Sequence, residues 1–224
     1  MSVAPTTNDN EQVASDAFQQ LGSATDELEG YKNPHALRIA RIADEVAKRF
    51  QLAAQDRRSL RVAALLHDLG EAAMEREYIQ RSGTLSDDER LDLARHPVIG
   101  EQESARAGTD RAASLLVRWH HEWWNGAGYP DCLRGEEIPL AARILRVVDS
   151  YAALTDARPF REALSEVEAR RHLIEWAGIE FDPHVVRIFL SLGGIPELNS
   201  FAQTQDLFST EVKGDWDLFS SFMK

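Results

Sequence analysis

Apolar residues recur at helical spacing through most of this chain, and that periodicity limits the fold more than any other feature. Residues 35–50 form one such stretch, residues 59–73 a second, and residues 139–156 a third. In the first stretch the apolar positions are Leu37, Ile39, Ala40, Ile42, Ala43, Val46 and Ala47. No run of alternating β-branched residues predicts a strand. The sequence therefore predicts an all-α fold.

Capping residues predict where further helices begin. Ser86 and Ser165 each precede a glutamate by three residues, which is the capping-box pattern. The Asp182-Pro183 pair supplies a cap and a first-turn proline for another helix. A helix is also expected over residues 110–119. The helix that begins after Ser86 is expected to end near His96-Pro97.

The two ends of the chain differ in composition from its middle. Residues 1–30 are polar and acidic, and we expect them to form a tail or a weakly held helix. Residues 31–195 carry the apolar periodicity and are expected to form the main domain. Residues 196–224 are rich in aromatic side chains, so they are expected to pack on that domain or on a partner. They are also the predicted surface for self-association.

Charge and composition argue against several classes of protein. The formal net charge is −12 at pH 7, and an acidic chain neutralises nucleic-acid phosphates poorly, so DNA binding is not expected. No apolar run approaches the roughly 20 residues that cross a bilayer. Cys132 is the only cysteine, which excludes an internal disulfide and favours a reducing cytoplasm. A small anionic ligand remains compatible with local metal ions and arginines.

Five of the seven histidines stand in motif-like settings. They are His35, His67, His96, His120 and His121. Two carboxylates, Asp68 and Asp149, lie in apolar surroundings, where burial is costly unless the charge is paired. Imidazoles and carboxylates together suit iron, manganese, zinc or nickel. Taken singly, however, such histidines are more often structural, and Asp149 could pair with Arg143 or Arg146. Spacing alone leaves both interpretations open.

A family resemblance adds to this pattern. The segment His67-Asp68-Leu69-Gly70, with His35 before it and Asp149 after it, resembles the HD superfamily of metal-dependent phosphohydrolases. Residues 117–130 read VRWHHEWWNGAGYP and resemble the HD-GYP subfamily more specifically. The likeness covers roughly residues 31–192. It implies an HD-type helical bundle with a metal cluster in its core.

The resemblance implies two divalent ions, with iron or manganese expected ahead of zinc or nickel. One ion would be held by His35, His67, Asp68 and Asp149. The other would be held by Asp68, His96, His120 and His121. Asp68 would therefore bridge the ions, which gives it the catalytic role of holding both metals that activate water.

The resemblance also implies a reaction and contacts to the substrate. Members of the HD-GYP family hydrolyse cyclic di-GMP to the linear dinucleotide and often on to GMP, and some prefer cyclic GMP-AMP. Two ions can produce hydroxide at neutral pH by lowering the pKa of a bridging water. Arg158 and Arg161 match phosphate-gripping positions, with a solvated helix end as the alternative. Tyr129 would lie beside the nucleotide. Glu122 would orient an imidazole or form a surface salt bridge.

Several positions depart from the family pattern. Glu71 stands where lysine is usual, which could slow hydrolysis, change the metal preference or make Glu71 a ligand. Tyr31 replaces a glutamate that helps to hold a third metal, so two ions are expected. Asn125 and Ala127 replace the usual loop residues, while the glycines, Tyr129 and the proline after it are retained. The shape of the loop is therefore expected to persist.

Three functions follow from these observations. The first is an active cyclic di-GMP phosphodiesterase. The second is a weakly active or inactive module that senses the dinucleotide or docks a protein, which Glu71 favours. The third is a phosphohydrolase for another nucleotide, such as cyclic GMP-AMP. A homodimer or a regulatory protein partner is compatible with each of them.

Overall fold

Helices build the fold in the computed structural model, which describes residues 7–81, 83–157 and 162–192. The helices are α1 (Thr7–Leu28), α2 (His35–Arg49), α3 (Ala54–Leu66), α4 (Leu69–Met74), α5 (Glu77–Gln80), α6 (Asp87–Leu93), α7 (His96–Arg106), α8 (Arg111–Trp119), α9 (Leu140–Thr155), α10 (Glu166–Glu175) and α11 (Pro183–Leu190). One 3-10 turn spans Gly135–Glu137. Within the described ranges no β-strand occurs, which confirms the all-α prediction. None of the described helices combines the length and the apolar character that a membrane span requires.

Helices α2, α3 and α9 form the centre of the bundle. Helix α2 packs against both α3 and α9, and α3 also contacts α8. Along α2, Ile39, Ile42 and Val46 are fully buried, because apolar residues recur every three or four positions. Along α9, Val148 and its apolar neighbours are buried in the same core. Asp149 therefore lies on a helix whose position is fixed by packing.

The helix expected over residues 59–73 is interrupted, so the prediction of one continuous helix is wrong. Helix α3 ends at Leu66 and α4 begins at Leu69. Between them, Asp68 leaves the helical conformation, with φ of −100° and ψ of 13°. His67 and Asp68 therefore lie at a junction between two helices. At such a junction, adjacent side chains can approach one centre from different directions.

The third helix ends three residues before the expected end near His96-Pro97, and a further helix that was not predicted begins there. Helix α6 ends at Leu93, and His96 begins α7 with Pro97 in its first turn. A proline is tolerated there because the first-turn N–H has no partner within a helix. The capping boxes at Ser86 and Ser165 are confirmed.

Helices α4 and α7 approach each other closely at Gly70. A Cβ atom on Gly70 would lie 2.0 Å from the carbonyl oxygen of His96 and 2.8 Å from the backbone nitrogen of Gly100. Only a glycine permits this contact between backbones. Because Asp68 precedes Gly70 by two residues, the contact brings Asp68 to the start of α7, where His96 lies.

The first 30 residues, expected to be a tail or a weakly held helix, contain α1. This helix packs against α2, α3 and α4, and Phe18 contributes to the core. Both carboxylate oxygens of Asp26 accept from the backbone N–H of Ala36 at 3.2 Å, which ties α1 to the start of α2. Residues 196–224 lie outside the described residues. The boundaries near residues 30 and 195 stay predictions.

Ion pairs at Asp44 join α2 to α3. The carboxylate accepts from Arg57 Nη2 at 2.7 Å and from Arg61 Nη1 at 2.9 Å. Burial raises the pKa of Asp44, but hydrogen bonds with these two arginines and with Lys48 outweigh burial and lower the pKa to about 2. The ionised carboxylate therefore stabilises the packing of these helices.

We predict that Asp44→Asn lowers the free energy of unfolding by about 1–2 kcal/mol at neutral pH. Because the folded-state pKa lies below the ordinary value of 3.8, this stabilisation is present above that value and is lost as the pH falls towards about 2. Urea unfolding of both proteins between about pH 7 and pH 2 measures the difference. A difference that does not narrow in acid would contradict the ion-pair explanation.

Candidate metal centre

All seven side chains predicted to bind metal come together in two groups. The first group is His35, His67 and Asp149, and the second is Asp68, His96, His120 and His121. Within each group, the atoms that could bind an ion lie within 4.8 Å of one another. The residues come from the starts of α2 and α7, the α3–α4 junction, the end of α8 and the middle of α9. The tertiary fold therefore assembles the site.

Three donor atoms of the second group form a compact triangle. The Nε2 atoms of His96 and His120 are 3.2 Å apart. Asp68 Oδ1 lies 3.3 Å from His96 Nε2 and 3.5 Å from His120 Nε2. Two imidazole nitrogens bound to one tetrahedral ion, each at about 2.0–2.1 Å, lie roughly 3.3 Å apart. The triangle therefore has the dimensions of one face of a coordination tetrahedron.

The first group contains imidazole nitrogens without a hydrogen bond. His35 Nε2 and His67 Nε2 face Asp149 Oδ1 at 3.7 and 3.6 Å. Both nitrogens are buried, and neither makes a hydrogen bond of good geometry in the described part of the chain, although Asp68 Oδ2 lies 2.9 Å from His67 Nε2. Leaving a buried polar atom unpaired is costly. A cation held by the two rings and the carboxylate would satisfy both nitrogens, so these residues fit a metal ion.

Asp68 connects the two groups. Its Oδ2 lies 2.9 Å from His67 Nε2, while Oδ1 faces His96 and His120 of the second group. Burial raises the pKa of Asp68, but the positive field and the hydrogen bonds of the surrounding histidines hold it well below its usual range. One anionic carboxylate can therefore supply an oxygen to each group.

Three of the histidines are oriented by carbonyl groups in the last turn of a helix. His67 Nδ1 lies 3.0 Å from Ala64 O, His96 Nδ1 lies 2.8 Å from Leu93 O, and His120 Nδ1 lies 2.6 Å from Val117 O. The last carbonyls of a helix lack partners within the helix, so each can accept the Nδ1–H of an imidazole that follows it. Donation from Nδ1 leaves the Nε2 lone pair for a metal ion.

Comparison with known proteins identifies the family. The profile of the HD domain matches residues 10–185, which include all seven candidate ligands. The chain belongs to the HD-domain family. This confirms the family predicted from the histidine motifs.

Two curated relatives are named as phosphodiesterases of different cyclic dinucleotides. The cyclic di-GMP phosphodiesterase response regulator RpfG of Xanthomonas campestris is 34% identical over 185 residues, which cover 82% of this chain and 49% of the relative. The 3'3'-cGAMP-specific phosphodiesterase 2 of Vibrio cholerae is 25% identical, over 81% of this chain and 35% of the relative. The chain thus spans half or less of the length of each of these relatives.

Solved structures agree with the HD-type helical fold. The crystal structure of the cyclic GMP-AMP specific phosphodiesterase V-cGAP3 of V. cholerae is similar, with a TM-score of 0.64 and 20% identity. The match covers 81% of this chain and 49% of that chain. At this identity the likeness establishes the fold alone, and it confirms the predicted helical architecture.

Asp156 contacts His35 of the first group but was not among the residues predicted from the sequence. Its Oδ2 lies 2.7 Å from His35 Nδ1, and its Oδ1 accepts from Arg38 Nη1. Arg38 also donates to Thr155 Oγ1 at 2.8 Å. Asp156 follows Asp149 by seven residues, which is two helical turns, so the spacing could have indicated a shared face. The carboxylate orients His35 as carbonyls orient His67, His96 and His120.

Glu122 anchors the Gly-Tyr-Pro loop and does not orient an imidazole, contrary to the expectation. Its carboxylate accepts from the backbone N–H groups of Asp131 at 2.7 Å and Leu133 at 3.0 Å. The residue is only 2% exposed, which also argues against a surface salt bridge. Backbone N–H groups outside regular helices need acceptors, and Glu122 supplies them to two amides that follow the loop.

The loop places Tyr129 against His121. The two rings stack with centroids 4.9 Å apart and planes 22° apart. A Cβ on Gly128 would lie 2.2 Å from the backbone nitrogen of Trp123, so the chain can pass here only as glycine. Asn125 Oδ1 accepts from the N–H of Ala127 at 2.8 Å, which closes the turn. The two substituted positions thus bond to each other within the loop.

Glu71 and Tyr31, which depart from the family pattern, both lie beside the cluster. Glu71 Oε1 is 3.9 Å from His96 Nδ1. Burial and repulsion from Asp68 raise the pKa of Glu71 to about 7. Tyr31 stacks on His35, with centroids 3.8 Å apart and planes 8° apart. Tyr31 therefore covers the ring of His35 with an aromatic surface. The family resemblance implies a glutamate at this position.

Other polar residues considered in the sequence lie elsewhere or outside the described ranges. Arg158 and Arg161 are not among the described residues. Arg143 pairs with Asp182 at 2.6 Å, so it is not the partner of Asp149. Arg146 does approach Asp149, with Nη1 3.5 Å from Oδ2. The predicted pairing of Asp149 with Arg146 is therefore present at Oδ2, while His35 and His67 face Oδ1.

We predict that Asp156→Asn weakens metal binding by about 10–100-fold, because loss of the carboxylate frees the ring of His35. Titration of the apoprotein with Mn²⁺ against a competing chelator measures the affinity. Asp44→Asn makes the same acid-to-amide change away from the cluster and serves as the control. Equal affinities in the two variants would show that Asp156 has no role at the site.

Proposed function

We propose that this HD-domain protein hydrolyses cyclic di-GMP to the linear dinucleotide and then to GMP. The observation that carries the proposal is the pair of donor groups joined by Asp68. Paired sites of this kind suit in-line attack on a phosphodiester. The names of the curated relatives, cyclic di-GMP phosphodiesterases among them, support the choice of substrate.

The donor set supports two divalent cations, iron or manganese first and zinc or nickel as alternatives. When bound, such ions supply a lowered pKa for water and a positive field for the phosphodiester. The chain itself holds Asp68 and Asp149 ionised, since the adjacent histidines keep both pKa values well below the usual range despite burial. Asp68 is the residue to which we assign the shared catalytic position.

The proposed contacts to substrate come from the loop and from two arginines. Tyr129 lies against His121 at the edge of the cluster, where a bound nucleotide could contact its ring. Arg158 and Arg161 are proposed on the family resemblance, since a planar guanidinium donates two parallel hydrogen bonds to phosphate oxygens. Glu71 lies beside the second group, with Oε1 3.9 Å from His96 Nδ1, and its catalytic role stays a proposal.

A cyclic-dinucleotide sensor of low activity is the second candidate, and Glu71 is the observation that favours it. With a pKa of about 7, the carboxyl of Glu71 beside Asp68 is partly ionised at neutral pH and adds negative charge where an anionic substrate must approach. Cyclic GMP-AMP is the alternative substrate, which the name of one relative supports.

We place the protein in the cytoplasm, without DNA or membrane partners. Residues 196–224 are the proposed surface for a homodimer or a regulatory protein.

An assay of hydrolysis separates these candidates. Protein loaded with Mn²⁺ is incubated with cyclic di-GMP or cyclic GMP-AMP, and the products are resolved by chromatography. We expect linear dinucleotide to appear first from cyclic di-GMP, followed by GMP. Tight binding of cyclic di-GMP without turnover would overturn the proposed reaction and favour the sensor. Faster cleavage of cyclic GMP-AMP would change the substrate and leave the reaction class intact.

We predict that Asp68→Ala loses both ions and lowers kcat by at least about 100-fold, because one carboxylate serves both groups. Elemental analysis of the purified variant gives its metal content. Asp92→Ala is the control, since Asp92 pairs with Arg76 and Tyr78 outside the cluster. Two retained ions in Asp68→Ala would refute the bridging role.

We predict that Glu71→Lys raises kcat at neutral pH by roughly tenfold, the scale of one hydrogen bond to a charged group. The substitution exchanges a partly ionised acid beside Asp68 for a positive charge that can attract phosphate. Steady-state kinetics with cyclic di-GMP measure kcat and KM separately. An unchanged kcat would mean that Glu71 does not limit turnover.

A further inference from the structure

His121 differs from the other four histidines of the cluster in what its Nδ1 atom contacts. The others face a carbonyl or carboxylate oxygen through Nδ1, whereas Arg146 Nη1 lies 2.9 Å from His121 Nδ1. A guanidinium group can only donate hydrogen bonds. Nδ1 of His121 must therefore accept, and the proton of the neutral ring lies on Nε2.

This hydrogen bond prevents His121 from binding a metal ion through either nitrogen. The lone pair of Nδ1 is already used by Arg146, and Nε2 carries the proton. A metal ligand must offer a lone pair, and the other nitrogen of a metal-bound histidine normally donates its proton. Whichever nitrogen is used, His121 can bind an ion only after Arg146 has left its Nδ1.

Arg146 has a separate anchor that can hold it after such a release. Its Nη2 donates to Glu180 Oε1, and Glu180 is 8% exposed. Glu180 itself is fixed, because its carbonyl oxygen accepts from the N–H of Trp124 at 3.0 Å. Arg146 also precedes Asp149 by one helical turn on α9, with 3.5 Å between Nη1 and Oδ2. The guanidinium thus contacts one member of each donor group.

We propose that Arg146 is a positioning residue that controls loading of the second metal site by holding His121 in the tautomer that cannot bind an ion. The second group then begins with three available ligands, Asp68, His96 and His120. The first site has four, His35, His67, Asp149 and the shared Asp68, so the second site takes its ion more weakly. For His121 to bind that ion, Arg146 must lose its hydrogen bond to the imidazole and keep the one to Glu180. This inference rests on the metal centre of the proposed function, and not on its substrate.

The tautomer of His121 can be observed directly in the unaltered apoprotein. Long-range ¹H–¹⁵N spectra of ¹⁵N-histidine-labelled protein distinguish Nδ1–H from Nε2–H rings, and His121→Gln assigns the signal by its absence. We expect the Nε2–H tautomer. An Nδ1–H ring would overturn the proposal. The variant serves only to assign the signal, and the tautomer itself is observed in the unaltered protein.

Metal affinity is measured by calorimetric titration of the apoproteins with Zn²⁺. Glu180→Gln is compared with Arg146→Met/Glu180→Gln, so that removal of the arginine leaves no unpaired glutamate. We expect the second equivalent of Zn²⁺ to bind roughly tenfold more tightly in the double variant, the scale of one lost competing hydrogen bond. The first equivalent should change much less. Equal gains at both sites would indicate only a lost positive charge and would overturn the proposal, as would no gain.

The outcomes also separate this inference from the proposed function. If the unaltered protein binds no Zn²⁺, the metal centre itself is refuted. If it binds two ions, and the affinities of Glu180→Gln and Arg146→Met/Glu180→Gln are equal, only the role of Arg146 is refuted. Hydrolysis of cyclic di-GMP is not needed for either measurement.

Discussion

The bundle can bury the carboxylates of Asp68 and Asp149 because imidazoles converge on both, joined at Asp149 by Arg146. A carboxylate in an apolar core is strongly disfavoured unless it is paired. Asp149 faces two histidines through one oxygen, and Asp68 divides its oxygens between the two donor groups. The positions of the surrounding helices are therefore coupled to the geometry of the site. A divalent ion in each group would complete the pairing of charge.

The fold meets this constraint at the ends of helices more than within them. The interruptions between helices before α4 and α7 place His67 and His96 next to helix-end carbonyls that lack partners. Those carbonyls orient the two imidazole rings. The close contact at Gly70 brings the two interruptions together, because no side chain separates the backbones of α4 and α7 there. The Gly-Tyr-Pro loop is held in turn by Glu122, which satisfies its amides. Backbone hydrogen bonding and the metal site thus depend on the same residues.

Local patterns predicted the parts of the structure that depend on local physics. Apolar periodicity predicted α2 and α9, and capping boxes predicted the starts of α6 and α10. The break at Asp68 was missed because the residues on both sides favour a helix. Asp156 and His35 are 121 positions apart, and their contact exists only in the fold. The same is true of Arg146 with Glu180, whereas the family resemblance supplied the ligand set that spacing left open.

The central claim is that seven side chains hold a pair of cations, and anomalous scattering tests it most directly. A crystal of the Mn²⁺-loaded protein, measured on both sides of the manganese edge, locates each ion without reference to activity. We expect two anomalous peaks about 3.5–4 Å apart, with Asp68 between them and the two donor groups on opposite sides. A single peak, or peaks remote from Asp68, would contradict the account.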